Sequence, residues 1–290
     1  VSVHLQRLCK VVKLLNSSSK PVVSIIDGAC FGSGYALAMG KYRICTERSV
    51  FSVPEPSLGV ALAGGLSYAL PRLLDGSESL ALCLGLTGIT LEGVDIHAAQ
   101  LATHFMPSTR LKLFMNRLSE VCMVPDDLGG DEGLQAIAMA VEMCSDISWE
   151  SSELHDDLVE LGEDREFAAS QNHLHKTLPE IDDVFAVNSV EEAVNNLKSC
   201  NHVWTKVALE NMAKSSPLSL KVVFEQIKRG KNLTLSKCLE EEYNVNSRLY
   251  LMDDFKAAMK AQQTEPGKQP MWRKGTLEEV SADDVTTLFQ

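Results

Sequence analysis

The sequence predicts an α/β protein with its strands in the first third and helices in the last. Three observations carry this. Residues 22–26 (VVSII) form a short β-branched run that Pro21 can open. Gly28, Gly32 and Gly34 punctuate the chain directly after it. From about residue 203 onward, apolar residues recur at helical spacing until Pro266, Gly267 and Pro270 break the pattern.

Taken in order, residues 3–15 carry apolar side chains at 5, 8, 11, 12 and 15, a helix period that Ser17, Ser18 and Ser19 interrupt. The run at 22–26 lacks polar alternation beyond Ser24 and is expected to be a strand buried on both faces. The glycines then open a turn and a helix. Such a junction leaves backbone N–H groups free at the helix start, where they stabilise negative charge. Strand, turn and helix alternate to about residue 105. Residues 80–86 and 94–101 are short helix candidates, with Gly88 and Gly93 between them. Residues 126–133 (DDLGGDEG) and 145–164 read as acidic surface segments. Ser189 and Glu192 have capping-box spacing ahead of a helix to about 197. Helices are expected over 203–213, 218–229, 235–251 and 254–261, and 277–289 reads as a polar tail. The organisation expected is an α/β core over 1–107 and a mainly helical region over 108–290, with an acidic insertion around 126–165.

Composition narrows the function classes. A chain of 290 residues can bury a sizeable core. With 45% apolar and 23% charged residues it has ordinary globular composition. A net charge of −12 argues against direct nucleic-acid binding through a broad basic face. No apolar run reaches the ~20 residues of a membrane-spanning helix. The eight cysteines include no CxxC pair and read as reduced thiols, which suits a reducing compartment. His173 and His175 stand two apart in a polar stretch with no third ligand nearby, so no metal site is expected. No cofactor is expected either, and no G-x-S-x-G elbow is present. Gly230 in Lys-Arg-Gly-Lys reads as a basic turn that ends a helix.

Two residues draw attention as chemistry. Gly32 lies at the strand–helix turn. Glu55 follows twenty-three residues later, rigidified between Pro54 and Pro56. A backbone anion site beside a carboxylate fits polarisation of a carbonyl next to an acid or base.

The stretches KPVVSIIDGACFGSG (20–34), FSVPEPSLG (51–59), LPRLL (70–74), LTGITLEGVDIHAAQLATHF (86–105) and SSPLSLK (215–221) resemble the crotonase (enoyl-CoA hydratase/isomerase) superfamily. Within it they are most similar to the 3-hydroxyisobutyryl-CoA hydrolase branch. The EEY at Tyr243, the DDF at Phe255 and Trp272 fit that branch too, while 110–200 matches poorly. The resemblance implies a crotonase-type spiral of ββα units with a helical C-terminal region. It implies an acyl-CoA substrate, valine breakdown and the mitochondrial matrix. It assigns the Gly32 N–H to the oxyanion site for the thioester carbonyl and Glu55 to the carbonyl carbon, as general base or nucleophile. His104 matches a position of structural use, and Gly34 one of helix–strand packing.

The departures from the pattern matter as much. Ser33 stands where the family usually has glycine, Ala36 where hydratases carry a first glutamate, and Ala63 where the hydrolases carry an aspartate. Arg7 falls near an expected acid. Nothing before Lys20 matches the family's upstream A-x-x-G-G/S-D motif, so the resemblance implies a fragment or an otherwise incomplete chain. Two readings follow. One is a hydrolase impaired by Ala63. The other is a non-catalytic homologue in the small subunit of the mitochondrial ribosome, with ribosomal or other protein partners, as some members of the family are.

Overall fold

The structure is a computed structural model that describes residues 2–122, 131–145, 173–264 and 268–290. Of the acidic segments expected at 126–133 and 145–164, residues 126–130 and 146–164 lie outside the described residues, and 131–133 and 145 form the two ends of a helix, Asp131–Ser145.

Local chemistry accounts for the elements of the front part. Helix α1 (Ser2–Ser17) turns Leu5 and Val12 inward, in line with its spacing. Strand β1 (Val23–Ile26) runs into β2 (Ala29–Phe31) through Asp27 and Gly28, where Gly28 takes a φ of 144°. The bend separates the two strands into different sheets. In the first, β1 pairs in parallel with β3 (Tyr42–Cys45), and β3 pairs in parallel with β6 (His104–Phe105). In the second, β2 pairs in parallel with β4 (Val50–Ser52), which pairs antiparallel with β5 (Leu91–Glu92). The Arg48–Asp27 ion pair ties the bend between β1 and β2 to the turn before β4. Between β2 and β3 the expected helix is a 3-10 turn, Gly32–Ala38.

The expectation that β1 is buried on both faces fails. Ile26 is buried but Ile25 is 38% exposed, and Val23 and Ser24 are half-buried. The cause is topological. Among the described residues β1 pairs with β3 alone, so it is an edge strand with one open side.

The rest is helical: α2 (Leu66–Ala69), α3 (Glu78–Thr87), α4 (Val94–Ala98), α5 (Leu111–Cys122), α6 (Asp131–Ser145), α7 (His173–Phe185), α8 (Val190–Ser199), α9 (Val203–Lys214), α10 (Pro217–Gly230), α11 (Leu235–Leu249), α12 (Asp253–Thr264) and α13 (Ala282–Phe289). Helix α3 is buried from Leu80 through Thr87, which explains its lack of a polar face. A continuous core joins Ile26, Phe51 and Leu62 of the front part to Phe185, Val223, Val245 and Leu288 of the later helices. A smaller cluster packs Phe114, Ile137 and Val141 of α5 and α6 against Tyr42 and Ile44 of β3. No helix of the described residues is long and apolar enough to cross a membrane.

Four further expectations are corrected here. The supposed tail at 277–289 contains α13, started by a reciprocal Ser281–Asp284 capping box and anchored by buried Val285 and Leu288. Residues 173 and 175 begin helix α7 rather than lying in a loop. Gly34 has nothing within 4 Å of an added Cβ, so helix–strand packing does not demand glycine there. At the start of α8 only half of the expected box forms. Ser189 accepts the Glu192 N–H, while the Glu192 carboxylate bonds the Asn188 N–H one residue ahead.

Candidate active site

Glu55 opens a short 3-10 turn, Glu55–Leu58, that Pro54 and Pro56 stiffen and Gly59 closes at φ 67°. The later helices hold this turn. The Ser216 N–H at the start of α10 donates to the Pro56 carbonyl at 3.0 Å. Gly59 lies so close to the backbone of Asp254, in the first turn of α12, that an added Cβ would come within 2.9 Å of it. Asp254 in turn accepts from the Ser216 hydroxyl and from the Arg273 N–H, both at 2.7 Å. The acid therefore sits on backbone whose polar groups are paired, as burial requires.

The structure brings Gly32 and Glu55 together. Gly32 adopts φ 49°, and a Cβ built on it would lie 1.9 Å from Glu55 Oε1. The missing side chain is the space the carboxylate occupies. The next residue, Ser33, donates its N–H to Oε1 at 2.8 Å. Oε2 is buried with no hydrogen-bond partner, and the residue as a whole is 6% exposed. Burial pushes the Glu55 carboxyl up to about 7 against the pull of its N–H donors, and the nearby Glu242 carboxylate raises it further.

The two positions where the resemblance places a second acid are apolar here. Ala36 is fully buried among Val12, Leu239, Leu8 and Met39, under α1. Ala63 is also buried, and Gly64 beside it packs against Ser33 O and Ala36 Cβ. His104 on β6 pairs its ring with the Thr103 hydroxyl at 2.9 Å. Gly230 ends α10 against α2, where an added Cβ would lie 1.9 Å from Ser67 O, and its carbonyl accepts from Arg72.

Sequence reasoning missed what surrounds Ala63. Side chains of α10 and α11 bind the backbone of residues 61–67. Asn246 Oδ1 accepts the Ala61 N–H at 3.0 Å, and Gln226 Oε1 accepts the Leu62 N–H at 2.9 Å. The amides of both residues donate back to Leu62 O. Glu242 Oε2 accepts the Gly65 N–H at 2.8 Å, while its Oε1 accepts the Ser67 N–H at 2.9 Å and the Ser67 hydroxyl at 2.7 Å. Glu242 is 1% exposed, and burial raises its pKa against these donors. Tyr250, one turn beyond Asn246, has its phenol raised by burial and by the charge on Glu55. Glu242, Asn246 and Tyr250 recur every fourth residue, and that polar stripe was the available signal. Nothing in the sequence marked Ser33 as the N–H that meets Glu55, because a backbone donor has no residue code.

A cleft of about 580 Å³ opens elsewhere, lined by Lys20, Tyr35, Lys41, Arg43 and Arg72 among others; neither Gly32 nor Glu55 lines it. Its two arginines bind backbone carbonyls, Arg43 those of Leu101 and Gly40, Arg72 those of Tyr68 and Gly230.

Chemically, the arrangement offers a carboxyl that titrates near neutrality and a backbone donor beside it. A carbonyl oxygen that takes the Ser33 N–H must displace the carboxylate from it, which moves the acid next to the carbonyl carbon.

Comparison with known proteins shows the family and the fold. A family model described as enoyl-CoA hydratase/isomerase matches residues 4–289. The mitochondrial 3-hydroxyisobutyryl-CoA hydrolase of Dictyostelium discoideum is 30% identical over 280 residues, covering 96% of this chain and 66% of that protein. That of Xenopus laevis is 28% identical over 278 residues, covering 95% and 65%. Small ribosomal subunit protein mS47 of Arabidopsis thaliana is 31% identical over 294 residues, covering 98% and 64%. The chain thus spans about two thirds of the length of these relatives. Among solved structures, an enoyl-CoA hydratase from Rhodobacter sphaeroides 2.4.1 superposes with a TM-score of 0.77 at 23% identity, covering 99% of this chain and 73% of that one. The likeness is one of fold, the α/β crotonase fold.

Proposed function

Since the chain belongs to the enoyl-CoA hydratase/isomerase family, we propose that it carries the acyl-CoA thioester site of a 3-hydroxyisobutyryl-CoA hydrolase-like protein, reduced to one acid and weak in turnover. One observation carries the reading. Glu55 lies against the Ser33 N–H over Gly32, while positions 36 and 63 present only methyl groups. Gly32 supplies the room and Ser33 the donor.

In this mechanism the thioester oxygen takes the Ser33 N–H, and the displaced Glu55, in the ionised fraction present around its pKa of about 7, removes a proton from water. The hydroxide adds to the carbonyl carbon, and the tetrahedral oxyanion is stabilised at the N–H. Collapse breaks the C–S bond, and the departing thiolate takes the proton from Glu55. The products are the free acid and coenzyme A thiol. Direct attack by Glu55, forming an anhydride that water then opens, uses the same contacts. Ala63 leaves no second group to move a proton or orient a substrate hydroxyl. Loss of one such group typically costs ~10²–10⁴ in rate.

The test is thiol release from 3-hydroxyisobutyryl-CoA by the full-length protein. Slow release that Glu55→Gln abolishes supports the reading. Fast release that Glu55→Gln leaves unchanged overturns it. A second reading is a non-catalytic component of the mitochondrial ribosomal small subunit, favoured by the similarity to mS47 over nearly the whole chain. Its test is co-sedimentation with that subunit at high salt. Location in the mitochondrion is part of both readings, with the word taken from the hydrolase relatives' names, and the matrix is part of the proposal.

A further inference from the structure

Two buried carboxylates, Glu55 and Glu242, hold adjoining backbone, Glu55 the Ser33 N–H and Glu242 the Gly65 N–H, with Gly64 set against Ser33 O, but they are satisfied unequally. Burial raises Glu242 as well, but it accepts three protein donors, two of them backbone N–H groups. Glu55 accepts the Ser33 N–H on one oxygen and nothing on the other. Donors to a carboxylate favour its charged form, and two like charges in one low-dielectric region disfavour double ionisation. The single proton that such a pair retains belongs on the oxygen without donors, Oε2 of Glu55.

We propose that Glu242 is a positioning residue for the Glu55 site: an ionised carboxylate that pins residues 65–67 and, by its charge, keeps the proton on Glu55. Gln226 and Asn246 complete the brace on residues 61 and 62. The proposal rests on the hydrolase reading only in taking Glu55 as the reacting acid; the proton's location is a property of the protein without substrate.

Other groups around the pair do not replace this role. Cys9 of α1 and Cys238 of α11 lie near Glu242, and burial raises both thiols, so both are neutral at pH 7. The Tyr250 phenol, which feels the charge on Glu55, is also raised by burial. Asp254 of α12 is engaged by Ser216 and Arg273. Lys214 of α9 borders the outer side of the Pro54–Pro56 turn, with Ser57 and Asn211. Tyr35 of the 3-10 turn donates to the Leu101 carbonyl.

The experiment is a ¹³C NMR titration of glutamate side-chain carboxyls in the full-length protein, with Glu55 assigned by Glu55→Gln. The unaltered protein should show Glu55 titrating near neutrality. In Glu242→Gln the Glu55 midpoint should fall by about one pH unit or more. Amide exchange at Gly65 and Ser67 should accelerate by on the order of tenfold, with Ala61 unchanged, since one acceptor becomes a donor. An unchanged Glu55 midpoint in a folded Glu242→Gln protein overturns the proposal. So does loss of the neutral-range titration in Glu242→Gln with Glu55 ionised throughout in the unaltered protein. If Glu242→Gln does not fold, Ser67→Ala removes one donor from Glu242 while leaving its charge site in place. The Glu55 midpoint should then fall as Glu242 takes a share of the proton, and an unmoved midpoint again overturns it. Thiol release enters none of these readouts. A shifted midpoint with no turnover upholds the positioning role and sinks the thioester reading alone.

Discussion

The turn that carries Glu55 and the loop that Glu242 braces are built from the same materials and are finished differently. Each places a buried carboxylate against backbone N–H groups, and each depends on a glycine that lets two segments nearly touch. At the brace both carboxylate oxygens of Glu242 meet donors, and Gly230 lies against the fixed carbonyl of Ser67. At the turn one carboxylate oxygen is left over, and Gly32 lies against the end of a side chain that can swing away. A fully satisfied carboxylate resists movement, which suits a brace. A half-satisfied one holds a labile proton and a reason to move, which suits chemistry.

The largest expected effect breaks the brace side. Gly230→Ala drives a methyl group into backbone that cannot yield, and should destabilise the protein by about 3 kcal/mol. Gly32→Ala meets a side-chain carboxylate instead, although at positive φ, and should cost about 2 kcal/mol. The double variant Gly32→Ala/Glu55→Ala should recover part of that loss, whereas Gly230→Ala has no such partner. Urea unfolding of the four proteins measures the difference. Equal costs with no recovery would erase the distinction between a fixed and a displaceable neighbour.

The pH dependence sharpens the same contrast. Glu55 has a folded-state pKa near 7, above the ordinary carboxylate value of 4.5. The native state therefore binds the proton more tightly than the unfolded chain does. Stability is unaffected by this group below about pH 4.5, falls as pH rises between the two values, and stays reduced above 7. The full loss is on the order of 3 kcal/mol, and Glu55→Gln should flatten that decline. A decline of the same size in Glu55→Gln would assign it to another group.

The smallest effect lies outside both regions. Ser281→Ala removes the cap of α13 and should cost about 1 kcal/mol without altering the Glu55 titration. A change in that titration would mean that the C-terminal helix reaches the site.

Much of the fold could be read from the sequence because its signals are local. The apolar spacing of α1, the β-branched run of β1 and the serine cap of α8 need no knowledge of neighbours. The exposure of Ile25 depends on which strands flank β1, and no local pattern reports that. Helix α13 was read as a tail because Asp and Thr outnumber its two anchors, Val285 and Leu288. At the site, Glu55 stood out through its flanking prolines. Glu242 sits in a run of three glutamates that reads as solvated surface. Its helical phase with Leu239, Val245 and Leu249 points inward, yet residue type argued the other way. The donors that make its burial tolerable come from residues 65–67, far off in sequence.

The most direct test of the central claim, a thioester site that retains Glu55 but lacks its partner, is restoration of the partner. Hydrolysis of 3-hydroxyisobutyryl-CoA should be measured for full-length Ala63→Asp and for Ala63→Asp/Glu55→Gln. The account predicts a gain of ~10²-fold or more in the first and its loss in the second. No gain from a folded Ala63→Asp protein that still binds the thioester, or a gain that survives Glu55→Gln, would contradict it.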